Sequence, residues 1–214
     1  MVSSHKTAWE KIYKDYRLKG EKKQLVDEGI HPDFIKLIKR GRFPVKAALD
    51  IGCGMGDYLK LLKDRGFVVE GIDSSKEAVT STKKILRQHQ GIRLADMYRC
   101  HIPKNRYGFI FSIRTIHHGS KEQIGHLMEE IYKGLKKRGT IFLTVPTYKT
   151  LDRWKTFKNI TILSDGTFIP RTGVEKGLVH SIFKKEEIKS LLAKFRTVSI
   201  KEDSRNRWVV SAVK

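Results

Sequence analysis

The 214-residue sequence has few cysteines and no long apolar segment. Its two cysteines, Cys53 and Cys100, are too few for a disulfide framework, and neither belongs to the Cys-x-x-Cys pair that begins many zinc sites. No apolar run approaches the roughly 18 residues that cross a bilayer, and the N-terminus lacks the apolar core of a secretory signal. We therefore expect a cytoplasmic protein that binds neither a membrane nor a metal ion.

Acidic residues are also scarce. There are 23 Asp and Glu against 44 Lys and Arg, which gives a net charge of +21 and a pI near 10.0. Adaptation to heat does not explain this excess, because it adds Glu together with Lys. The charge therefore favours a polyanionic partner, and we expect structured RNA.

Apolar runs alternate with amphipathic ones, which is typical of parallel strands joined by helices. The length favours one domain, and we expect a monomer. At the end of the chain, "RTVSIKED" and "RWVVSAVK" flank a short polar connection and predict an antiparallel hairpin. The other predicted strands are at about 47–51, 67–72, 92–95, 107–112 and 139–145, and the helices are at about 57–65, 75–89, 120–137 and 184–194.

Two segments lie outside this alternation. Residues 1–46 form a predicted helical extension, in which Trp9, Tyr13 and Tyr16 share one helical face. Residues 147–183 form a long insertion that follows the predicted fifth strand. Because ligands of open α/β sheets bind at the carboxyl ends of the strands, and because long insertions are usually functional, we expect both segments to contact the substrate.

The stretch "LDIGCGMGDYL" places three alternating glycines, Gly52, Gly54 and Gly56, between a predicted strand and a predicted helix. Glycines allow a tight turn that a ligand can approach closely, at the N-terminus of a helix. A dinucleotide motif would need its third glycine where Asp57 stands, and a phosphate loop would need Gly-Lys-Ser/Thr. Asp50 and Asp57 would repel phosphate, whereas a ligand with a sulfonium and an ammonium group tolerates both.

The pattern Asp50-x-Gly52-x-Gly54-x-Gly56 resembles the first motif of class I S-adenosylmethionine-dependent methyltransferases. "GFVVEGIDSSKEAV", "IRLADM" and "YGFIFSIRTIHHGS" resemble the second, third and fourth strands of the type 11 branch of that family. The resemblance covers about residues 45–214. It implies a Rossmann-like fold with a seven-stranded, mostly parallel sheet, a C-terminal antiparallel hairpin and helices on both faces. It also implies S-adenosylmethionine as cofactor and S-adenosylhomocysteine as product.

The resemblance implies roles for individual residues at the cofactor site. Asp73 would accept hydrogen bonds from the ribose hydroxyls, and Asp96 would accept one from the adenine amino group, with Met97 beside the ring. This chain has Gly108 where the family usually has an aspartate, and we expect that difference to affect local stability more than activity. The full predicted cofactor set is Asp50, Gly52, Gly54, Gly56, Asp73, Ser74, Asp96, Met97 and Ser112.

The acceptor site is predicted around the loop after the fourth strand, which in this family passes nearest the transferable methyl group. His117 and His118 occupy that loop, either in the pocket or as helix caps and buried ring donors. Adjacent residues do not easily both face one site, and we expect at least one of them in the pocket. The aromatic stripe of the N-terminal segment is either core packing or a lid. Predicted catalytic residues are His118, His117, Tyr148 and Tyr13, and predicted substrate or RNA contacts are Trp9, Tyr16, Arg17, Arg114, Arg153, Lys155, Lys158, Arg171 and His180.

Three functions follow from this interpretation. The first is methylation of a nitrogen or oxygen of ribosomal or transfer RNA, for example cytosine N4 of small-subunit ribosomal RNA. The second is methylation of a metabolite, because much of the type 11 branch acts on small molecules, and the third is RNA binding without turnover. The sequence "SIRT" at 112–115 stands where DNA amino-methyltransferases have an Asp/Asn/Ser-Pro-Pro-aromatic motif, which disfavours DNA modification. A sulfonium methyl is already activated, so positioning the acceptor matters more than a strong base.

Overall fold

A computed structural model describes residues 8–14, 29–150, 159–163, 166–173 and 175–214. Five predicted substrate contacts lie outside these ranges: Tyr16, Arg17, Arg153, Lys155 and Lys158. The described helices are α1 (Pro32–Arg40), α2 (Asp57–Lys63), α3 (Lys76–Leu86), α4 (Lys121–Gly134) and α5 (Lys185–Leu191), together with a helical segment at 8–14. The strands are β1 (Ala47–Ile51), β2 (Val68–Asp73), β3 (Ile92–Leu94), β4 (Tyr107–Ile113), β5 (Leu135–Pro146), β6 (Ile160–Ile162), β7 (Thr167–Pro170), β8 (His180–Ser181), β9 (Arg196–Glu202) and β10 (Arg207–Val213).

Seven strands form the main sheet, in the order β3-β2-β1-β4-β5-β10-β9. Strands β1 to β5 are parallel, and β10 runs antiparallel to both β5 and β9. The carboxyl ends of the parallel strands therefore meet at one edge. The turn between β9 and β10 lies at the same edge, because Arg207 pairs with Pro146 at the end of β5. The predicted fold class is confirmed.

Helices cover both faces of this sheet because the strands are apolar on both sides. Phe109 and Phe111 pack on one face with Phe34 of α1, while Ile110 packs on the other face with Ile131 of α4. Alternation along one strand thus fills two separate cores, as expected for a buried parallel strand.

The helices begin where side chains cap their free backbone N–H groups. Ser75 accepts a hydrogen bond from Ala78 N at the start of α3, and Ser120 and Gln123 form a capping box at the start of α4. Ser75 also ends the turn after β2, where its backbone N donates to Asp73 Oδ1, so this cap helps to fix the carboxyl end of β2.

Strand β5 begins at Leu135 rather than near residue 139, so the preceding helix is shorter than predicted. Leu135 already pairs with Tyr107, and the register shifts before Phe109 pairs with Thr140. Arg138 adopts a left-handed conformation with φ 65° within this irregularity. A strand that restarts after a bulge is not visible from a helical pattern, because pairing with β4 decides it.

The insertion that the sequence predicts at 147–183 contains a small antiparallel sheet in the order β6-β7-β8. Its last strand is joined to the main domain, since Ser181 N donates to His117 O at 2.8 Å. The insertion therefore lies against the loop that follows β4.

Gly108 has a structural explanation. A Cβ at this position would overlap the backbone carbonyl of Val45, because the chain entering β1 passes directly over β4 there. Any larger residue would push that backbone segment away.

Within the described residues, no helix is long and apolar enough to cross a membrane.

Candidate functional site

The glycine turn after β1 is fixed by the end of β2. Gly52 N and Cys53 N both donate to Ile72 O, at 2.8 and 3.0 Å, and Gly54 N donates to Asp73 Oδ2 at 2.9 Å. Gly54 has a φ of 52°, and a Cβ there would lie 2.9 Å from the Tyr13 hydroxyl. Only glycine keeps this turn both left-handed and open.

Two carboxylates lie side by side at this turn. Asp50 and Asp73 are 3% and 7% exposed, at the carboxyl ends of β1 and β2. Burial raises the pKa of Asp50 well above its usual range, and the nearby charge of Asp73 adds to the effect. Burial also raises the pKa of Asp73, although hydrogen bonds from Ser75 N and Gly54 N oppose the shift. Buried negative charge of this kind stabilises a bound cation.

A cavity of about 1590 Å³ opens above this edge of the sheet. The turn and the carboxyl ends of the parallel strands form one half of it, and the loop after β4, the small sheet and the segment 8–14 form the other. Predicted site residues that line it are Trp9, Tyr13, Asp50, Gly52, Gly54, Gly56, Asp73, Ser74, Asp96, Met97, Arg114, His117, His118 and His180.

The segment 8–14 reaches both halves of the cavity, because Tyr13 lies over the glycine turn and Trp9 lies against the loop after β4. Glu10 Oε2 accepts hydrogen bonds from Ser75 Oγ at 2.8 Å and from Glu77 N at 3.3 Å. The Tyr13 hydroxyl lies over Gly54, and the ring of Trp9 meets His118 edge-on with centroids 4.8 Å apart. Trp9 and Tyr13 both line the cavity.

Three histidines meet in the other half. The rings of His117 and His118 have centroids 4.1 Å apart, and the ring of His180 lies 4.6 Å from that of His118. Both adjacent histidines line the cavity, although neighbouring residues do not easily face one site. The loop after β4 turns so that both rings point into the cavity, and β8 brings His180 to them.

His117 and Tyr13, which both line the cavity, are shifted toward their neutral forms. Burial, followed by the neighbouring His180 and Arg114, lowers the pKa of His117 well below its usual value. Burial and the charge of Asp73 raise the pKa of Tyr13 well above its usual value. At neutral pH the imidazole of His117 is uncharged and Tyr13 keeps its proton, so Tyr13 can donate a hydrogen bond but cannot act as a base.

Three predicted site residues do not line the cavity. Ser112 is fully buried in β4 and donates its hydroxyl proton to Ile51 O at 2.8 Å, so it joins β4 to β1 instead of facing the cofactor. Tyr148 packs against Phe168 and Ile182, which corrects its predicted catalytic role. Arg171 is exposed on the small sheet, where its Nε donates to Thr161 Oγ1 at 2.8 Å.

The sequence interpretation missed several residues that line the cavity. Glu175 comes from the insertion, and Arg207 follows the hairpin turn between β9 and β10. Thr115 lies so close to Gly52 that a Cβ on the glycine would overlap it. The predicted hairpin could have indicated Arg207, since an antiparallel last strand must begin at the edge where the parallel strands end.

Buried carboxylates at the ends of the first two strands of a Rossmann-like sheet suit a cationic ligand. Residues 48–139 match the family described as "Methyltransferase domain". Over these residues, which include the glycine turn and strands β2 to β4, the chain is similar to methyltransferases.

Solved structures have the same fold at low sequence identity. A protein of Pyrococcus horikoshii OT3 is 17% identical with a TM-score of 0.73, covering 94% of this chain and 98% of that one. A methyltransferase of Methanosarcina mazei is 19% identical with a TM-score of 0.68, covering 86% and 98%. Human N-acetylserotonin methyltransferase, solved in complex with S-adenosylmethionine, is 18% identical with a TM-score of 0.56, covering 80% and 48%. No curated protein sequence gives a significant match.

Proposed function

We propose that this chain transfers the methyl group of S-adenosylmethionine to a small molecule held beside His117, His118 and His180. The observation that carries the proposal is the cavity, whose volume of about 1590 Å³ exceeds the roughly 300–1,000 Å³ of a site for one drug-sized ligand. A cofactor and an acceptor of similar size can therefore occupy it together, under the segment 8–14.

We call the half of the cavity that contains the glycine turn the cofactor half, and its residues fit S-adenosylmethionine. Asp50 and Asp73 supply negative charge for its ammonium and sulfonium groups. Each Asp73 oxygen accepts one backbone N–H, which leaves lone pairs for the ribose hydroxyls. Asp96 and Met97 line the cavity beyond the end of β3, where we assign the adenine.

We call the half of the cavity that contains His117, His118 and His180 the acceptor half, and its residues suit a flat or partly apolar molecule. Trp9 and Phe168 present rings on either side of the histidines, at centroid distances of 4.8 Å from His118 and 5.0 Å from His180. The cofactor supplies an already activated methyl group, so the work left to this half is to hold the acceptor in line with it and to exclude water.

The charge of the cavity wall also suits a small acceptor. Basic and acidic side chains line the cavity together, and such a mixed wall does not select a polyanion. The basic ones are Lys60, Arg99, Arg114, Arg205 and Arg207, and the acidic ones are Asp50, Asp57, Asp64, Asp73, Asp96 and Glu175.

The experiment is methyl transfer from S-adenosylmethionine labelled in its methyl group. Wild-type chain is incubated with a low-molecular-weight extract and, separately, with total RNA. We expect label in the small-molecule fraction, and less of it with His118→Ala, whose ring lies in the acceptor half. Label that enters RNA alone would contradict a small acceptor.

RNA is the second candidate, and the net charge of +21 favours it. Under this alternative the chain modifies a nitrogen or oxygen of ribosomal or transfer RNA, such as cytosine N4, and Arg114 and Arg171 contact the backbone. Binding to structured RNA would then weaken with salt by about 0.7 to 0.9 log units per phosphate contact for each tenfold rise in salt. Arg171→Ala would reduce that slope by about one contact. A slope that stays flat up to physiological salt would remove this candidate.

A further inference from the structure

The three histidines of the acceptor half form a compact set of nitrogen donors. The ring nitrogens that can serve as ligands in His117, His118 and His180 all lie within 4.8 Å of one another. In a tetrahedral zinc site with bonds of about 2.0–2.1 Å, ligand nitrogens are roughly 3.3 Å apart. Side-chain rotations that shorten the nitrogen–nitrogen distances by at most about 1.5 Å would let all three nitrogens bind one ion.

Backbone and side-chain bonds hold the histidines together across the fold. Ser181 N donates to His117 O at 2.8 Å, and Ser181 Oγ donates to Gly119 O at 2.6 Å. The Tyr98 hydroxyl donates to Ile116 O at 2.8 Å on the other side of the loop. Strand β8 and the loop after β4 are thus fixed to each other, which makes the convergence of the three rings a built feature of the domain.

The chemical state of the cluster suits a metal ion. His118 and His180 are each 4% exposed, and the buried Nδ1 of His117 has no hydrogen-bond partner within the described part of the chain. An imidazole nitrogen without a bound proton offers the lone pair that a metal needs. Glu175 Oε2 lies 3.7 Å from His180 Nε2 and can orient that ring.

We propose that His117, His118 and His180 bind a divalent transition-metal ion, zinc in the first instance, in the acceptor half of the cavity. Three imidazoles favour zinc and its transition-metal neighbours over magnesium or calcium, which prefer oxygen ligands. Three protein ligands leave a fourth position open, as in catalytic zinc sites, and all three residues line the cavity.

The metal site also restricts the chemical class of the methyl acceptor. This inference rests on the proposed methyl transfer. The acceptor is a thiol or hydroxyl compound that occupies the open position, where the ion lowers the pKa of its proton as it lowers that of water. The acceptor releases that proton to solvent, and its sulfur or oxygen lone pair forms the new bond to the methyl carbon. The bond from that carbon to the sulfonium breaks, and its electron pair stays on the sulfur of S-adenosylhomocysteine.

Zinc titration of the full chain tests the site. The chain is freed of any purification tag, treated with a chelator and titrated with Zn²⁺ by calorimetry. We expect one tight equivalent per chain, weakened at least about tenfold in each of His117→Asn, His118→Asn and His180→Asn. His126→Ala is the matched control, because His126 is 80% exposed on α4 and should leave zinc affinity unchanged.

The proposal is overturned if wild type takes up no tight equivalent, or if the three variants bind zinc as tightly as His126→Ala does. Cobalt substitution of wild type gives a second measurement that does not depend on the variants folding. Bound Co²⁺ should show the intense visible bands of tetrahedral coordination, and the weak bands of hydrated octahedral Co²⁺ would overturn the assignment. S-adenosylmethionine binding and methyl transfer are measured in parallel, so failure of the metal site is distinguished from failure of the proposed function.

Discussion

Asp50 is the residue whose environment most directly favours a cationic cofactor. It is buried at the end of β1 beside Asp73, and both pKa values are raised. The folded chain therefore holds a proton that the unfolded chain would release, so stability falls as the pH rises from the ordinary range of an aspartate through the raised pKa. A bound cation reverses this effect, because it favours the charged carboxylates.

Affinity for S-adenosylmethionine should rise with pH. Below the raised pKa, Asp50 is protonated in the free chain, and the cationic ligand must displace that proton. Binding should therefore release protons, measured by calorimetry in buffers of different ionisation enthalpy, and Asp50→Asn should abolish most of the pH dependence. An affinity that is independent of pH in wild type would show that Asp50 does not face the positive charge of S-adenosylmethionine.

Asp73 has two roles, and its removal should affect both. Its oxygens accept from Gly54 N and Ser75 N, both at 2.9 Å, and hydrogen bonds to a charged group contribute about 1.5–3 kcal/mol each. Asp73→Ala should lower the melting temperature and weaken S-adenosylmethionine binding about tenfold or more. Glu122→Ala is the control, because Glu122 is 85% exposed on α4 and does not line the cavity. Unchanged affinity in folded Asp73→Ala would refute the ribose assignment.

At the scale of elements, we propose that the segment 8–14, which lies over the glycine turn, moves when the cofactor enters. Glu10 joins it to the start of α3, and loss of that link should cost about 1 kcal/mol, or a factor of about five in affinity. We expect Glu10→Ala to speed S-adenosylmethionine dissociation by about that factor in stopped-flow measurements. Lys11→Ala, on the exposed side of the same segment, should leave the rate unchanged. Equal dissociation rates for both variants would mean that the segment is not a lid.

The elements that the sequence predicted best are those with local signals. The glycine turn and the apolar runs of β1, β2 and β4 depend on residues close together in the chain, and they lie where the patterns indicated. The small sheet β6-β7-β8 and the early start of β5 depend on pairing between distant segments, which periodicity does not record. The histidine cluster was missed for the same reason, since β8 alone brings His180 to the loop after β4.

At the scale of the whole molecule, the sheet order brings both halves of the site to one edge. The half that contains the glycine turn comes from consecutive strands, and the residues predicted there line the cavity except Ser112, whose hydroxyl bonds β4 to β1. The acceptor half comes from the segment 8–14, the insertion and the hairpin, whose positions only the folded chain defines. The net charge of +21 belongs to the whole surface and does not follow from the cavity wall, which is mixed in sign.

Titration of S-adenosylmethionine into wild type and two glycine variants tests the central claim, that the cofactor binds on the turn between β1 and α2. Gly54→Val forces a β-branched residue into a left-handed position under the Tyr13 hydroxyl, whereas Gly125→Ala adds a methyl group to α4 with nothing within 4 Å. We predict one bound cofactor per chain for wild type and Gly125→Ala, and none for a folded Gly54→Val. Wild-type affinity in Gly54→Val, or no binding by wild type, would contradict the claim.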